Sequence, residues 1–303
     1  MRRLRFQLVN VFSIPGDPFS GNPLCVFEDA ASLSDDEMQA LARQTNLSET
    51  TFLLRPVPPA AASATARVRI FTPTSEMPFA GHPTLGTAHV VREVLGVVGK
   101  DRDVARVTLE MKAGLIEVRA DGDALTLRAA GLSARAPEAS RAELAATLGV
   151  EADQIGDSPL WVDTGAEQLI VPLASADAVR SARPSPELLA RHGLSTKRGA
   201  SMAYVWAWDG ASDVGTGQPD RVLARFFFIA SGSVVEDPAT GSACANLGGW
   251  MLATGKALPL AIEVRQGAAV ARPSLLRLEV DAQRRVFVTG RVLEIGRGTV
   301  SVG

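Results

Sequence analysis

What this chain has little of narrows it first. It holds two cysteines, Cys25 and Cys244, and three histidines, His82, His89 and His192. Two cysteines so far apart make no disulfide framework, and a reducing compartment is the default. Neither CxxC nor HExxH occurs. His82 and His89 share a helical spacing, but no acidic or cysteine ligand accompanies them, so no metal is expected. The dinucleotide pattern GxGxxG, the phosphate loop GxxxxGK[ST] and the nucleophile elbow GxSxG are all missing. No cofactor is therefore expected. An excess of either charge is missing too, with 31 Lys+Arg against 33 Asp+Glu. Without a basic face, nucleic acid is not an expected partner. No apolar run approaches the roughly 18 residues a membrane span needs. The apolar run after Met1-Arg2-Arg3 is broken by Gln7 and Asn10 and lacks a cleavage pattern, so the expectation is a cytoplasmic protein outside the membrane.

What is present is ample apolar material, 46% of 303 residues, enough for a full core, and the length suggests two domains or one large one. Alternation predicts strands at 4–12, 24–27, 51–54 and 67–71. Ser34 and Glu37 form a capping box for a helix ending near Thr45, and Ser140 with Glu143 forms another for a helix to Leu148. The Pro/Gly-rich stretch 72–86 precedes a helix over Thr87–Leu95 that Gly96 would stop. A hairpin is expected at 104–111 and 115–119, then a strand at 123–128 and a crossing segment over 129–140. Further strands are expected at 168–173, 202–208 and 225–229. A small-residue helix follows Thr240 and runs to Leu252, and strands near 261–265, 275–280, 285–289 and 291–295 close the chain. Both halves run strands, Gly/Pro loop, apolar helix, with Ala80–Ala88 in the first and Pro238–Ala245 in the second, which suggests a duplicated domain.

The residues left for chemistry are carboxylates, one histidine in a Gly/Pro loop, and helix-start amides. Glu49 falls in a helix-to-strand corner between Leu47 and Phe52, where apolar flanks would raise a carboxyl pKa toward neutrality and suit it to take and return a proton. Its bland alternative is a solvated turn residue. His82 lies in the loop Pro78-Phe79-Ala80-Gly81-His82-Pro83, where free amides can hold an anionic oxygen; a merely structural turn is the alternative. Asp237 precedes a second such helix start, with Thr240, Gly241 and Ser242. Plain N-capping by Asp237 or Thr240 is the alternative there. Glu236 is expected to face solvent. Cys244 is read as a small packing residue rather than a thiol base.

Taken together, Ser20-Gly21-Asn22-Pro23, Asn46-Leu47-Ser48-Glu49-Thr50-Thr51-Phe52, Arg69-Ile70-Phe71-Thr72-Pro73, Glu76–Ala88, Val235–Ala243 and Gly296-Arg297-Gly298-Thr299 resemble the PhzF family, in order along the whole chain. The best-characterised activity of that family is trans-2,3-dihydro-3-hydroxyanthranilate isomerase, and it is related to diaminopimelate epimerase. The resemblance implies an α+β fold of two similar halves, each a curved, mostly antiparallel sheet around a central helix. The halves would be 1–128, with 290–303 returning to it, and 129–289, and the active site would lie in the cleft between them. It implies a cofactor-independent isomerase with Glu49 as general acid/base and with His82 and Asp237 assisting. Asn22, Gly81, Thr240, Gly241 and Ser242 would bind a small carboxylate-bearing substrate, no metal would be involved, and the chain would form a homodimer. Substrate-size determinants would lie in loops such as 154–168 and 209–219, where no close match is evident. Two other readings remain open: an epimerase or racemase of an amino-acid-like compound, using Glu49 with Asp237 or Cys244 as two bases, and a non-catalytic binding homologue.

Overall fold

Ser34 accepts the N–H of Glu37, and Glu37 accepts the N–H of Ser34 in return, so the first helix starts at the expected box. The structure is a computed structural model that describes residues 1–95, 105–210 and 219–303. Gly96, expected to stop a helix, and most of the 209–219 loop lie outside the described residues. In chain order the first elements are β1 (Arg2–Val11), β2 (Asn22–Phe27), α1 (Asp35–Thr45), β3 (Thr50–Leu54), β4 (Ala66–Phe71) and β5 (Glu76–Met77). They continue with α2 (Gly81–Val94), β6 (Arg106–Met111), β7 (Gly114–Asp121) and β8 (Ala124–Arg128). Next come β9 (Ser133–Arg135), α3 (Arg141–Leu148), β10 (Leu160–Asp163), β11 (Gln168–Pro172), α4 (Ala176–Ser181) and α5 (Pro186–His192). The rest are β12 (Leu194–Ser195), β13 (Ala200–Trp208), β14 (Asp220–Ala230), β15 (Ser233–Asp237), α6 (Gly241–Ala253), β16 (Leu260–Gln266), β17 (Ser274–Val280) and β18 (Val286–Val302).

The chain divides into two compact units, Met1–Leu127 with Thr289–Gly303, and Arg128–Val288. In the first, the pairings run β1–β2–β3–β4–β6–β7–β8–β18 and back to β1, which closes the sheet on itself. Helix α2 packs against β1, β2, β3, β4, β6 and β7, so it fills the middle of that ring. Ten of its residues are buried, as expected of a helix enclosed by sheet. In the second unit the order is β9–β10–β11–β13–β14–β16–β17, with α6 packed on β9, β10, β11 and β17.

Two expectations change. Helix α2 starts at Gly81, six residues before Thr87. Pro83 falls in its first turn, where no N–H is needed, and Gly86 is inside because a Cβ there would come 2.6 Å from Leu24 Cδ2. The last two predicted strands are one strand of 17 residues. Gly290 reads as a break, but it keeps the strand running beneath Phe12, whose Cδ1 would lie 2.2 Å from an added Cβ. The short β9, β10, β15, α4 and α5 carry too few patterned residues to be foreseen.

Strand register makes the duplication explicit. Ile70 pairs with Met77 as Phe226 pairs with Asp237, and Ala66 pairs with Leu109 as Val222 pairs with Val264. The equivalence sets Pro78 against Pro238 and Ala80 against Thr240, two residues out of phase with the match suggested by the sequence. It also pairs two ion bridges. Arg69 Nε and Nη2 grip both oxygens of Glu76 at 2.8 and 2.7 Å, and Arg225 grips Glu236 in the same way at 3.1 and 2.6 Å. Each guanidinium also lies over a ring two residues on, at 5.0 Å from Phe71 and 4.6 Å from Phe227. Glu236 is therefore not solvent-facing: its side chain is 8% exposed. Both pairs hold the short strand leading into a central helix.

Candidate active site

In the first unit, α1 ends at Asn46 in the left-handed region, φ 52°, which turns the chain so that Glu49 immediately precedes β3. Thr45 and Thr50 join hydroxyls at 2.7 Å across the corner, and Thr87 of α2 donates to Thr51 of β3 at 2.9 Å. These threonines, of which Thr50, Thr51 and Thr87 are buried, fasten the Glu49 corner to the helix that carries His82. Glu49 Oε2 lies 3.5 Å from His82 Nδ1, with side chains 16% and 5% exposed. Oε2 itself is buried and accepts no hydrogen bond. Burial pushes the Glu49 carboxyl up to about 7, partly offset by a hydrogen bond from Ser48. The Ser48 oxygen stands 3.3 Å from Oδ1 of the buried Asn22, so its one O–H serves either Asn22 or Glu49, and Asn22 joins the same group. Ala80 supplies no side-chain cap, so α2 opens on the main chain of Gly81 and His82 beside this acid.

In the second unit, Asp237 ends β15 and α6 begins at Gly241. The Thr240 hydroxyl does not cap that helix; it donates to Asp237 Oδ2 at 2.5 Å. For Thr240 the capping alternative is thus replaced by a Thr–Asp contact. Ser242, in the first turn, accepts from Gln168 Nε2 at 3.0 Å. Gln168 Oε1 takes a bond from Asn246 Nδ2 at 2.8 Å, and Asn246 Oδ1 accepts both the N–H and the hydroxyl of Thr164. With its oxygen accepting from Gln168, Ser242 keeps its O–H to donate. Gln168 and Asn246 were not foreseen; a lone Asn inside a helix of apolar and small residues was the available signal. Cys244 is fully buried and its thiol is pushed well up by burial, which opposes a thiolate base and fits packing. Among the described residues no cluster of His, Cys, Asp and Glu could hold a metal.

Of the sequence-predicted residues, the structure brings Asn22, Glu49, Gly81 and His82 together in the first unit. It groups Asp237, Thr240, Gly241 and Ser242 in the second. No helix among the described residues is long and apolar enough to cross a membrane. Residues 9–298 match the family described as phenazine biosynthesis-like protein, PhzC-PhzF. An uncharacterized isomerase of Pasteurella multocida is 34% identical over 98% of this chain and 94% of its own length. The trans-2,3-dihydro-3-hydroxyanthranilate isomerase of Pseudomonas fluorescens is 33% identical over 93% of this chain and 95% of its own. The crystal structure of a PhzF-family phenazine biosynthesis protein of Bacillus anthracis superposes with a TM-score of 0.82, covering 100% of both chains at 22% identity. The chain therefore has the diaminopimelate epimerase-like fold and belongs to the PhzF family of isomerases.

Proposed function

We propose that this isomerase moves a proton between two carbons of a small carboxylate-bearing substrate, with Glu49 as the single general acid/base and no cofactor in the step. The observation that carries the reading is the buried Glu49 carboxyl, pushed up to about 7 by its surroundings. A base of that strength exists in both protonation states near neutral pH, so it can break one C–H bond and deliver the same proton to another carbon as the double bond shifts. His82 would steady the Glu49 proton or a substrate oxygen. Asp237 would orient the substrate's polar groups. Ser242, with the helix-start amides of Gly81 and Gly241, would bind its carboxylate. Asn22 would keep Ser48 beside Glu49.

Two observations favour a one-base isomerase over an epimerase that pairs Glu49 with Cys244 or with its own counterpart in the second unit. By strand register the counterpart of Glu49 in the second unit is Met202, and the thiol of Cys244 is pushed away from ionisation. The relatives make trans-2,3-dihydro-3-hydroxyanthranilate the first substrate to try. The test is turnover of that compound, followed by a panel of cyclic carboxylates, by wild type and Glu49→Gln. Turnover by wild type alone supports the reading; equal turnover by both removes Glu49 as the base. Light scattering tests the expected homodimer.

A further inference from the structure

The two halves differ at one linked set of positions. Strand register and the helix starts set Asp237, Thr240 and Gln266 of the second unit against Met77, Ala80 and Met111 of the first. The half with the carboxylate has a buried amide on the neighbouring strand, and the half without it has a thioether in the same place. Gln266 is 1% exposed and Met111 6% exposed, so either residue is compatible with a packed position in this fold.

The Gln266 amide is fully committed to the Asp237–Thr240 turn. Its Nε2 donates to the Asp237 carbonyl at 2.8 Å and to Thr240 Oγ1 at 3.0 Å, and its Oε1 accepts the Thr240 N–H at 3.3 Å. A hydroxyl that receives an N–H from Gln266 turns its own O–H elsewhere, and Thr240 turns it to Asp237 Oδ2. Gly267, at φ 81°, permits the approach: a Cβ there would meet the Pro238 carbonyl oxygen at 2.4 Å.

We infer that Gln266 is the positioning residue of Asp237, fixing the direction of the Thr240 hydroxyl so that the Asp237 carboxylate is held by it. This rests on the reading of Asp237 as substrate-orienting. Gln266→Met, which copies the other half, removes the three bonds and keeps the volume. In ¹³C NMR of the whole chain, with the Asp237 Cγ signal assigned through Asp237→Asn, Gln266→Met and Thr240→Val are expected to move that signal alike, and the double variant no further than Thr240→Val. An unmoved signal in Gln266→Met, or additive movements in the double variant, would overturn the inference. Should Gln266→Met not fold, the wild-type Gln266 side-chain N–H pair decides. Both protons are expected to be slow to exchange, with Thr240→Val releasing one; two fast protons refute the arrangement. On a turned-over substrate, Gln266→Met is expected to lower kcat/KM about tenfold when assayed well below its own melting transition, and wild-type kcat/KM in that variant counts against it. Absence of wild-type turnover on the whole panel would sink the proposed reaction while the NMR result still judged Gln266.

Discussion

His82 Nδ1 and Glu49 Oε2 stand 3.5 Å apart, a separation beyond a well-formed hydrogen bond yet within reach of a small side-chain rotation. The pair is held from both sides, Glu49 by the corner after α1 and His82 by the first turn of α2, with the Thr87–Thr51 bond between helix and strand. A carboxyl so enclosed is costly to ionise, and that cost yields measurable consequences.

The first concerns stability. The folded-state pKa of Glu49 is raised from 4.5 to about 7. Between those values the unfolded chain gives up the proton while the folded chain keeps it, so stability falls as pH rises through the window. Glu49→Gln removes the penalty. It is expected to match wild type at pH 4 and to be more stable at pH 8, by up to about 3 kcal/mol. Urea unfolding at the two pH values measures it.

The second concerns rate. Proton removal needs the Glu49 carboxylate, so kcat/KM is expected to drop on the acid side with an apparent pKa near 7. An acid limb near the ordinary carboxylate value would indicate an exposed base. A pH–rate profile from pH 5 to 9 separates the two.

The third concerns the duplicated ion pairs. Arg225 is 7% exposed and also donates to the carbonyls of Val179, Arg180 and Ala182. Arg225→Met strands Glu236 in the interior and is expected to cost about 3–5 kcal/mol, part of which Glu236→Leu in the same chain restores. Arg69→Met is expected to cost less, because Glu76 keeps Lys112 at 2.6 Å and Asp35 is open to solvent. Melting curves of the three variants test the order.

The fourth concerns Cys244. Buried and protonated, it serves packing, so Cys244→Ala is expected to retain kcat/KM within about twofold while losing about 1 kcal/mol of stability. A loss of activity near that of Glu49→Gln would restore the two-base epimerase.

Much of this was legible before any coordinates. Both capping boxes appear where Ser34 and Ser140 announced them, because an N-cap is a local pairing of residues three apart. Glu49, His82 and Asn22 were readable from their segments, and their meeting in one unit depended on strand pairing. The Arg225–Glu236 bridge was not, since a charge run looks solvated until its partner strand is known. Gln266, Gln168 and Asn246 were hidden for a similar reason. Their roles lie in hydrogen bonds across long sequence separations, 26 residues for Gln266 to Thr240 and 82 for Thr164 to Asn246. The early start of α2 was masked by Pro83 and Gly86, breakers in isolation that are harmless in a first turn and required against Leu24.

The most direct test of the central claim is proton traffic through Glu49, followed by NMR with trans-2,3-dihydro-3-hydroxyanthranilate and the cyclic carboxylate panel in D₂O. Wild type is expected to turn over a substrate and to place deuterium or transferred hydrogen at one new carbon, with Glu49→Gln slower by about 10²–10⁴-fold. Undiminished transfer in the Glu49→Gln enzyme would contradict the account.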